Sequence, residues 1–315
     1  MNIQASTVSG KTVFLGTPLQ MQLCESFDTP ADAFVAVFFA FEPLEELEKI
    51  VVKSENQTVF EGNVDEQITM CNKQGIKIKI SARSFSQLID NEALPTTYIR
   101  PALDEIFKNH LEPFGIKGVI GNGICQGDFA VSKGTCHWAV VEQFCKCVLN
   151  SSPRITKDRF LDTGEESNDS KPVAFGNFIG ADCRYFSAKI KYRRYGVVGE
   201  ICYKSEAGQG YERVEINQDA KSRNIKTKRY LNLSASQKWE RQHRLQREFD
   251  KSIRGSEEIE LCVPFDCFFE VGSKASFCDE RLGNFEDYRI FEIAHSISVD
   301  GNQCKLTLRP SQHLK

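Results

Sequence analysis

From Gly75 the chain alternates strictly between apolar and charged residues, Gly-Ile-Lys-Ile-Lys-Ile-Ser, and after Ala82-Arg83 it changes to a helical period through Ser84-Phe-Ser-Gln-Leu-Ile-Asp90. Alternation places Ile76, Ile78 and Ile80 on one face of a strand and Lys77 and Lys79 on the other, ahead of a short amphipathic helix carrying Phe85, Leu88 and Ile89. Similar signals fill the first hundred residues. Ser9-Gly10-Lys11 predicts a tight hairpin between Ile3–Val8 and Thr12–Leu15, and Leu19, Met21 and Leu23 alternate with Gln20, Gln22 and Cys24. Ala33–Phe41 is apolar at both parities, which predicts a strand buried on both faces or set at a subunit contact. Ile50–Lys53 and Gln57–Phe60 flank a turn, Gly62–Thr69 follows, and Asn72-Lys-Gln-Gly75 turns into the strand at 75. Short strands at this spacing predict a small barrel or sandwich.

The period then becomes helical. Pro101–Leu111 carries Leu103, Ile106, Phe107 and Leu111 on one face, with Pro113 and Gly115 just past its end. A second helix is predicted from a Thr135 N-cap through Trp138, Val141, Cys145, Val148 and Leu149. Short strands at 116–120, 129–131 and 154–156 make this segment α/β. The acidic stretch 162–171 reads as a loop and boundary. Alternation returns in Ser187–Tyr195 and Gly199–Tyr203; after a Gly208–Gly210 loop comes a basic tract. A long helix is predicted from about Ser234 to Arg254, buried along Ala235, Trp239, Leu245, Phe249 and Ile253, with Gly255 as its stop. Strands are expected at Glu258–Val263, Cys267–Val271, Arg289–His295 and Gln303–Leu308, the last pair joined across Val299–Asn302.

The expected fold class is α+β multidomain: two small β-barrel-like domains separated by an α/β domain, with a long helix before the C-terminal strands. The expected divisions are 1–97, 98–171 and 172–315, the last holding an inserted basic loop and helix at about 206–255. A length of 315 residues fits two or three domains. No leader of basic then apolar residues opens the chain, and no run approaches the ~18 apolar residues of a membrane span, so the reading is a chain made and kept in a cytoplasm without membrane insertion.

Chemistry is sparse. The 12 cysteines are scattered, without the close pairs of a structural zinc site, and read as reduced structural thiols. Cys136-His137 sets a thiol beside an imidazole, but helical neighbours diverge by about 100°, so the pair reads as capping or packing. No nucleophile elbow or phosphate-cradling glycine loop is present. The expectation is therefore a non-enzyme without cofactor or metal. Net charge is −3, yet Asp219–Arg254 holds eleven Lys or Arg against four acids. Lys221, Arg223, Lys226, Lys228 and Arg229 form a candidate basic interaction face. It reads either as a solvated or assembly-facing surface, or as a nucleic-acid-binding module over 219–254.

Three stretches carry a family resemblance: Val59–Asp65 with Gly75–Asp90; Phe129–Phe144; and the late helix Ser234–Gly255 leading to Gln303-Cys-Lys-Leu-Thr-Leu-Arg-Pro310. In this order they resemble the baseplate hub proteins of contractile-tailed phages and phage-tail-like particles, the family of the Mu-like 43 kDa tail protein and late control D. Phe269-Glu-Val-Gly-Ser-Lys274 departs from the Gly-Asp-x-Val often found there. The resemblance implies a virion structural protein of a phage tail, contractile injection system or tailocin. It implies a homotrimer whose two β-modules per copy imitate six-fold symmetry, joining a hexameric tail tube to a trimeric central spike. Tube, spike and other baseplate proteins would be its partners, nucleic acid would only pass through the lumen, and the baseplate, assembled in the bacterial cytoplasm, would be its location. Residues 75–90 are then architecture.

Overall fold

The computed structural model describes residues 1–54, 57–164, 171–208, 210–234, 236, 240–299 and 301–314. Trp239 and Ala235, both expected on the buried helix stripe, lie outside the described residues, as do most of the acidic loop and Asp300. The structure is mostly β, with 47% strand and 17% helix, so the mixed α+β expectation holds in part. The chain separates into two compact units, Met1–Asp90 with Ser170–Lys189 and Glu260–Leu308, and Asn91–Asp169 with Ile190–Ile259 and Arg309–Lys315.

Among the described residues the largest sheet has 13 strands. Seven come from the start of the chain: β1 Asn2–Thr7, β2 Thr12–Phe14, β3 Gln20–Ser26, β4 Ala33–Ala40, β5 Leu47–Ser54, β6 Gln57–Asn72 and β7 Gly75–Arg83. Six follow later: β8 Val173–Gly176, β9 Ser187–Tyr192, β10 Glu257–Val263, β11 Lys274–Asp279, β12 Gly283–Ser298 and β13 Gly301–Pro310. Their order is β9-β10-β13-β12-β3-β4-β7-β6-β5-β1-β2, with β11 on β12 and β8 on β11. The two groups meet along one seam, where β12 runs antiparallel to β3 from Glu292↔Ser26 to Ile297↔Met21.

Among the described residues no sheet closes into a barrel, which corrects the expectation of two barrel-like domains. Pairing β3 with β12 uses an edge that a closed barrel would have spent on β2, the strand at the other end of the N-terminal run. The seven N-terminal strands still curl, because their inner residues share one core. Ile3, Leu23, Phe34, Phe38, Ile50, Phe60, Ile78 and Ile80 all belong to it. Ile78 and Ile80 are fully buried, as alternation requires, and Leu88 of the short helix α1 (Ser86–Asp90) is buried while Phe85 and Ile89 are partly covered. At Gly62 a Cβ would lie 2.6 Å from the Arg83 carbonyl oxygen, so only glycine lets β6 approach β7 there, next to the bulge at Val64/Glu66. Strand β4 is buried on one face within the chain, so of its two expected alternatives, burial on both faces or a subunit contact, the first does not hold. Phe34, Ala36 and Phe38 point inward, whereas Phe39 is 53% exposed on the other face.

Other departures are local. Cys136, not Thr135, occupies the N-cap of the helix α3 (His137–Phe144), and its last turn continues as a π-helix, Cys145–Leu149, in which Cys145 and Cys147 are both buried. Cys267–Val271 is not a strand; the strand is β11, further on. The aromatic residues there plug the core instead: Phe268 stacks on His295, and Phe269 meets Phe175 edge-on.

In the second unit the helix α2 (Leu103–His110) precedes α3, and Thr96–Ile99 pairs antiparallel with Asp128–Val131. The helix α4 (Gln218–Ser222) is short and capped by Asn217, whose side chain accepts from the Ala220 amide. The late helix, α5, runs Glu240–Ile253 with Leu245, Phe249 and Ile253 buried, and Gly255 past its end holds φ +67°.

Candidate interaction face of the second unit

The basic tract is built around a three-stranded sheet. Its central strand, Glu200–Lys204, pairs antiparallel with Arg213–Ile216 and parallel with Lys228–Asn232. One face packs on α5, where Ile201, Tyr203 and Leu231 join Leu245 and Phe249 in a small core. The opposite face is open. Register places Ile216, Glu200 and Lys228 in one row across it, and Val214, Cys202 and Tyr230 in the next. Tyr230 is 62% exposed and Val214 50%. Tyr211 meets Tyr230 edge-on at 5.4 Å between centroids, and Lys204 Nζ lies 5.4 Å from the Tyr211 ring centre.

Adjacency in sequence separates the five candidate residues in space. Lys228 and Arg229 point to opposite faces of one strand. Lys228 donates to Glu200 at 2.8 Å on the open face, a contact that raises its pKa. Arg229 instead pairs with Glu248 of α5 at 2.7 Å on the packed face. Arg223 donates to Ser256 Oγ (3.1 Å) and the Arg193 carbonyl (3.2 Å), and lies 3.6 Å from Asp219. Lys221 and Lys226 are exposed. Of the five, Arg223, Lys228 and Arg229 are therefore ion-paired and Lys221 and Lys226 exposed, while the open face of the sheet carries Lys204, Lys228, Tyr211 and Tyr230. Sequence reading missed Val214 because both outer strands are short, and Lys204 and Tyr211 because one ends the central strand and the other precedes an outer one; Arg229 at an inward position disguised the alternation of the second outer strand. The period-two run Arg213-Val-Glu-Ile216 was the available signal.

Two further polar clusters lie in this unit. Glu258, whose side chain is 6% exposed, accepts from Arg309 Nε at 2.9 Å and Nη2 at 2.6 Å, and Arg193 stands 3.3 Å from its other oxygen. Buried His110 sets Nδ1 3.1 Å from His137 Nδ1 and Nε2 3.1 Å from the Tyr98 hydroxyl. Burial, reinforced by His137, holds His110 down to about 4; burial also lowers His137. The imidazole beside Cys136 thus faces another imidazole, an arrangement suited to packing.

By sequence, no protein-family model and no curated protein matches the chain. Its fold is that of phage and prophage tail proteins. The 43 kDa tail protein of prophage MuSo2 from Shewanella oneidensis superposes with a TM-score of 0.80 at 16% identity, over 100% of both chains. The tail protein from Neisseria meningitidis MC58 gives 0.78 at 16% identity, over 99% of this chain and 96% of that one. A component of the type VI secretion system of E. coli, structurally similar to the T4 bacteriophage tail proteins gp27 and gp5, gives 0.60 at 9% identity over 93% of this chain and 73% of that one. At these identities the likeness concerns the fold.

Proposed function

We propose that the chain is a structural hub of a phage tail or contractile injection particle, a homotrimeric adapter joining a hexameric tail tube to a trimeric spike. The observation that carries this reading is the end-to-end match to a prophage tail protein, with a TM-score of 0.80 over 100% of both chains. The large sheet supports it: seven strands from residues 2–83 and six from 173–310 meet at one seam. Three copies would present six such β-modules, and a ring of six could stack on a tube while three-fold symmetry fits a spike. In this reading residues 1–97 and 172–315 carry the modules and 98–171 the α/β part. The outward residues of β4, Val35, Val37 and Phe39, share a face with Ile68 and Met70 of β6; a second copy covers them. Function comes from shape, without catalysis or cofactor, at the baseplate of a phage, defective prophage or tailocin assembled in the bacterial cytoplasm. Electron microscopy of the purified chain with tube and spike proteins tests the reading: trimeric rings bound to both are expected, and a monomer that binds neither refutes it.

A second reading is supported by the open face of the small sheet, where Tyr211, Tyr230, Lys204 and Lys228 would suit single-stranded nucleic acid. Anisotropy with labelled single-stranded DNA at rising salt tests it. Tight binding with a steep salt slope, weakened by Tyr230→Ala, supports it, and no binding at low salt ends it.

A further inference from the structure

Four cysteines from three stretches gather in the first unit: Cys183 after β8, Cys262 in β10 with Cys267 in the following turn, and Cys304 in β13. The Cys304 thiol lies within electrostatic range of the other three. His295 Nε2 stands 3.8 Å from Cys304 Sγ, and the Cys262 thiol is directed at Gln303 Oε1 (3.4 Å). Within this group one pair is in direct contact. Cys183 Sγ lies 3.5 Å from Cys267 Sγ, although 84 residues separate them in sequence.

The backbone holds both sulfurs where they are. Cys183 is tied to β8, its amide donating to the Ala174 carbonyl (3.2 Å) and its own carbonyl accepting from Gly176 (3.1 Å); β8 in turn pairs with β11. Cys267 closes a turn by donating to the Pro264 carbonyl at 3.2 Å, and the rings on either side of that turn, Phe265 and Phe268, both pack on His295. Two thiols from distant stretches meet in van der Waals contact on pinned backbones, so bond formation requires an approach of about 1.5 Å between the sulfurs.

We propose that Cys183 and Cys267 are a disulfide site, closed by a small disulfide oxidant of the glutathione class when the chain leaves a reducing medium. The half-buried Cys267 reacts first. Its thiolate attacks the oxidant, forms a mixed disulfide and releases one glutathione thiolate. Cys183 then gives up its proton and attacks the Cys267 sulfur, forming the protein S–S bond and expelling the second glutathione. Two protein thiols lose two electrons and two protons, and one oxidant disulfide becomes two thiols. The bond joins the 170–189 stretch to the C-terminal strands and encloses residues 190–259 in a covalent loop. Burial, and Cys267 beside it, push the Cys183 thiol up to about 12, so closure is slow at neutral pH and faster in alkaline buffer. The site stands independently of the hub reading and survives its failure.

The test uses the full chain, purified in reductant and equilibrated across glutathione disulfide ratios. Thiol counting, peptide mapping without reduction and thermal melting are the readouts. The expected result is one intramolecular bond, with two of the 12 thiols lost, a Cys183–Cys267 linked peptide, and a melting temperature raised by more than about 5 °C. Cys183→Ser and Cys267→Ser each abolish the linked peptide, while Cys262→Ser and Cys304→Ser retain it. The wild-type peptide map decides even where a variant folds poorly. Oxidation confined to exposed Cys71, a link to Cys262 or Cys304 instead, or thiols held by a co-purified soft metal ion would overturn the assignment.

Discussion

Replacing Ile80 by alanine isolates the physical claim made by the alternating strand. Ile80 is 0% exposed in β7, opposite Ala36 of β4 and Gln67 of β6. Alanine removes three carbons, about 2.4 kcal/mol of transfer free energy at ~0.8 kcal/mol each. With only a methyl group facing it from β4, the site cannot refill easily, and the cavity adds about 1 kcal/mol. The total is about 3.5 kcal/mol. Lys79, one residue earlier, projects to the opposite face beside Val37 and Ile68, and Lys79→Ala is expected to change stability by less than about 0.5 kcal/mol. Native-state hydrogen exchange of the β7 amides reads both variants. Amides that open globally should exchange about 300-fold faster in Ile80→Ala and at the wild-type rate in Lys79→Ala. Equal effects, or a loss below about 1 kcal/mol for Ile80→Ala, would show that the face assignment is wrong.

Glu258→Gln leaves the guanidiniums of Arg309 and Arg193 at a weakened buried acceptor. It should cost the second unit about 3–5 kcal/mol in urea unfolding, and a cost under 1 kcal/mol would contradict the role assigned to this cluster. The His110–His137 contact predicts an acid-sensitive fold. Because the folded pKa of His110, about 4, lies below the unfolded value, the unfolded chain takes the proton first, so stability present above about pH 6.5 is lost as pH falls toward 4. The slope of melting temperature against pH over that window should flatten in His110→Leu; an unchanged slope counts against the pair. Lys228→Ala should leave the urea unfolding midpoint at its wild-type value, since its partner Glu200 is on an open face, and a clear drop would count against that placement.

Where local pattern sets burial, the chain was legible. Ile78 and Ile80 in β7, Met21 and Leu23 in β3, and Leu245, Phe249 and Ile253 in α5 take the faces their spacing predicts. The hairpin at Gly10 forms with φ +85° at the glycine. Pairing between distant strands was illegible: nothing in Met21–Ser26 or Glu292–Ile297 announces that they share hydrogen bonds, and that seam is why the expected barrels are joined and open. Cys267–Val271 misled because apolar density is the same for a strand and for a turn whose rings plug a core. The candidate basic face was read along the chain, whereas a strand divides neighbours between two surfaces, sending Lys228 outward and Arg229 to Glu248.

A tail hub of this kind requires three copies of the chain to associate. Native mass spectrometry of the purified chain at micromolar concentration should give three times the chain mass, with trimer persisting on dilution and binding tube protein at six sites per ring. A chain that stays monomeric at every concentration, alone and with tube and spike proteins, would contradict it.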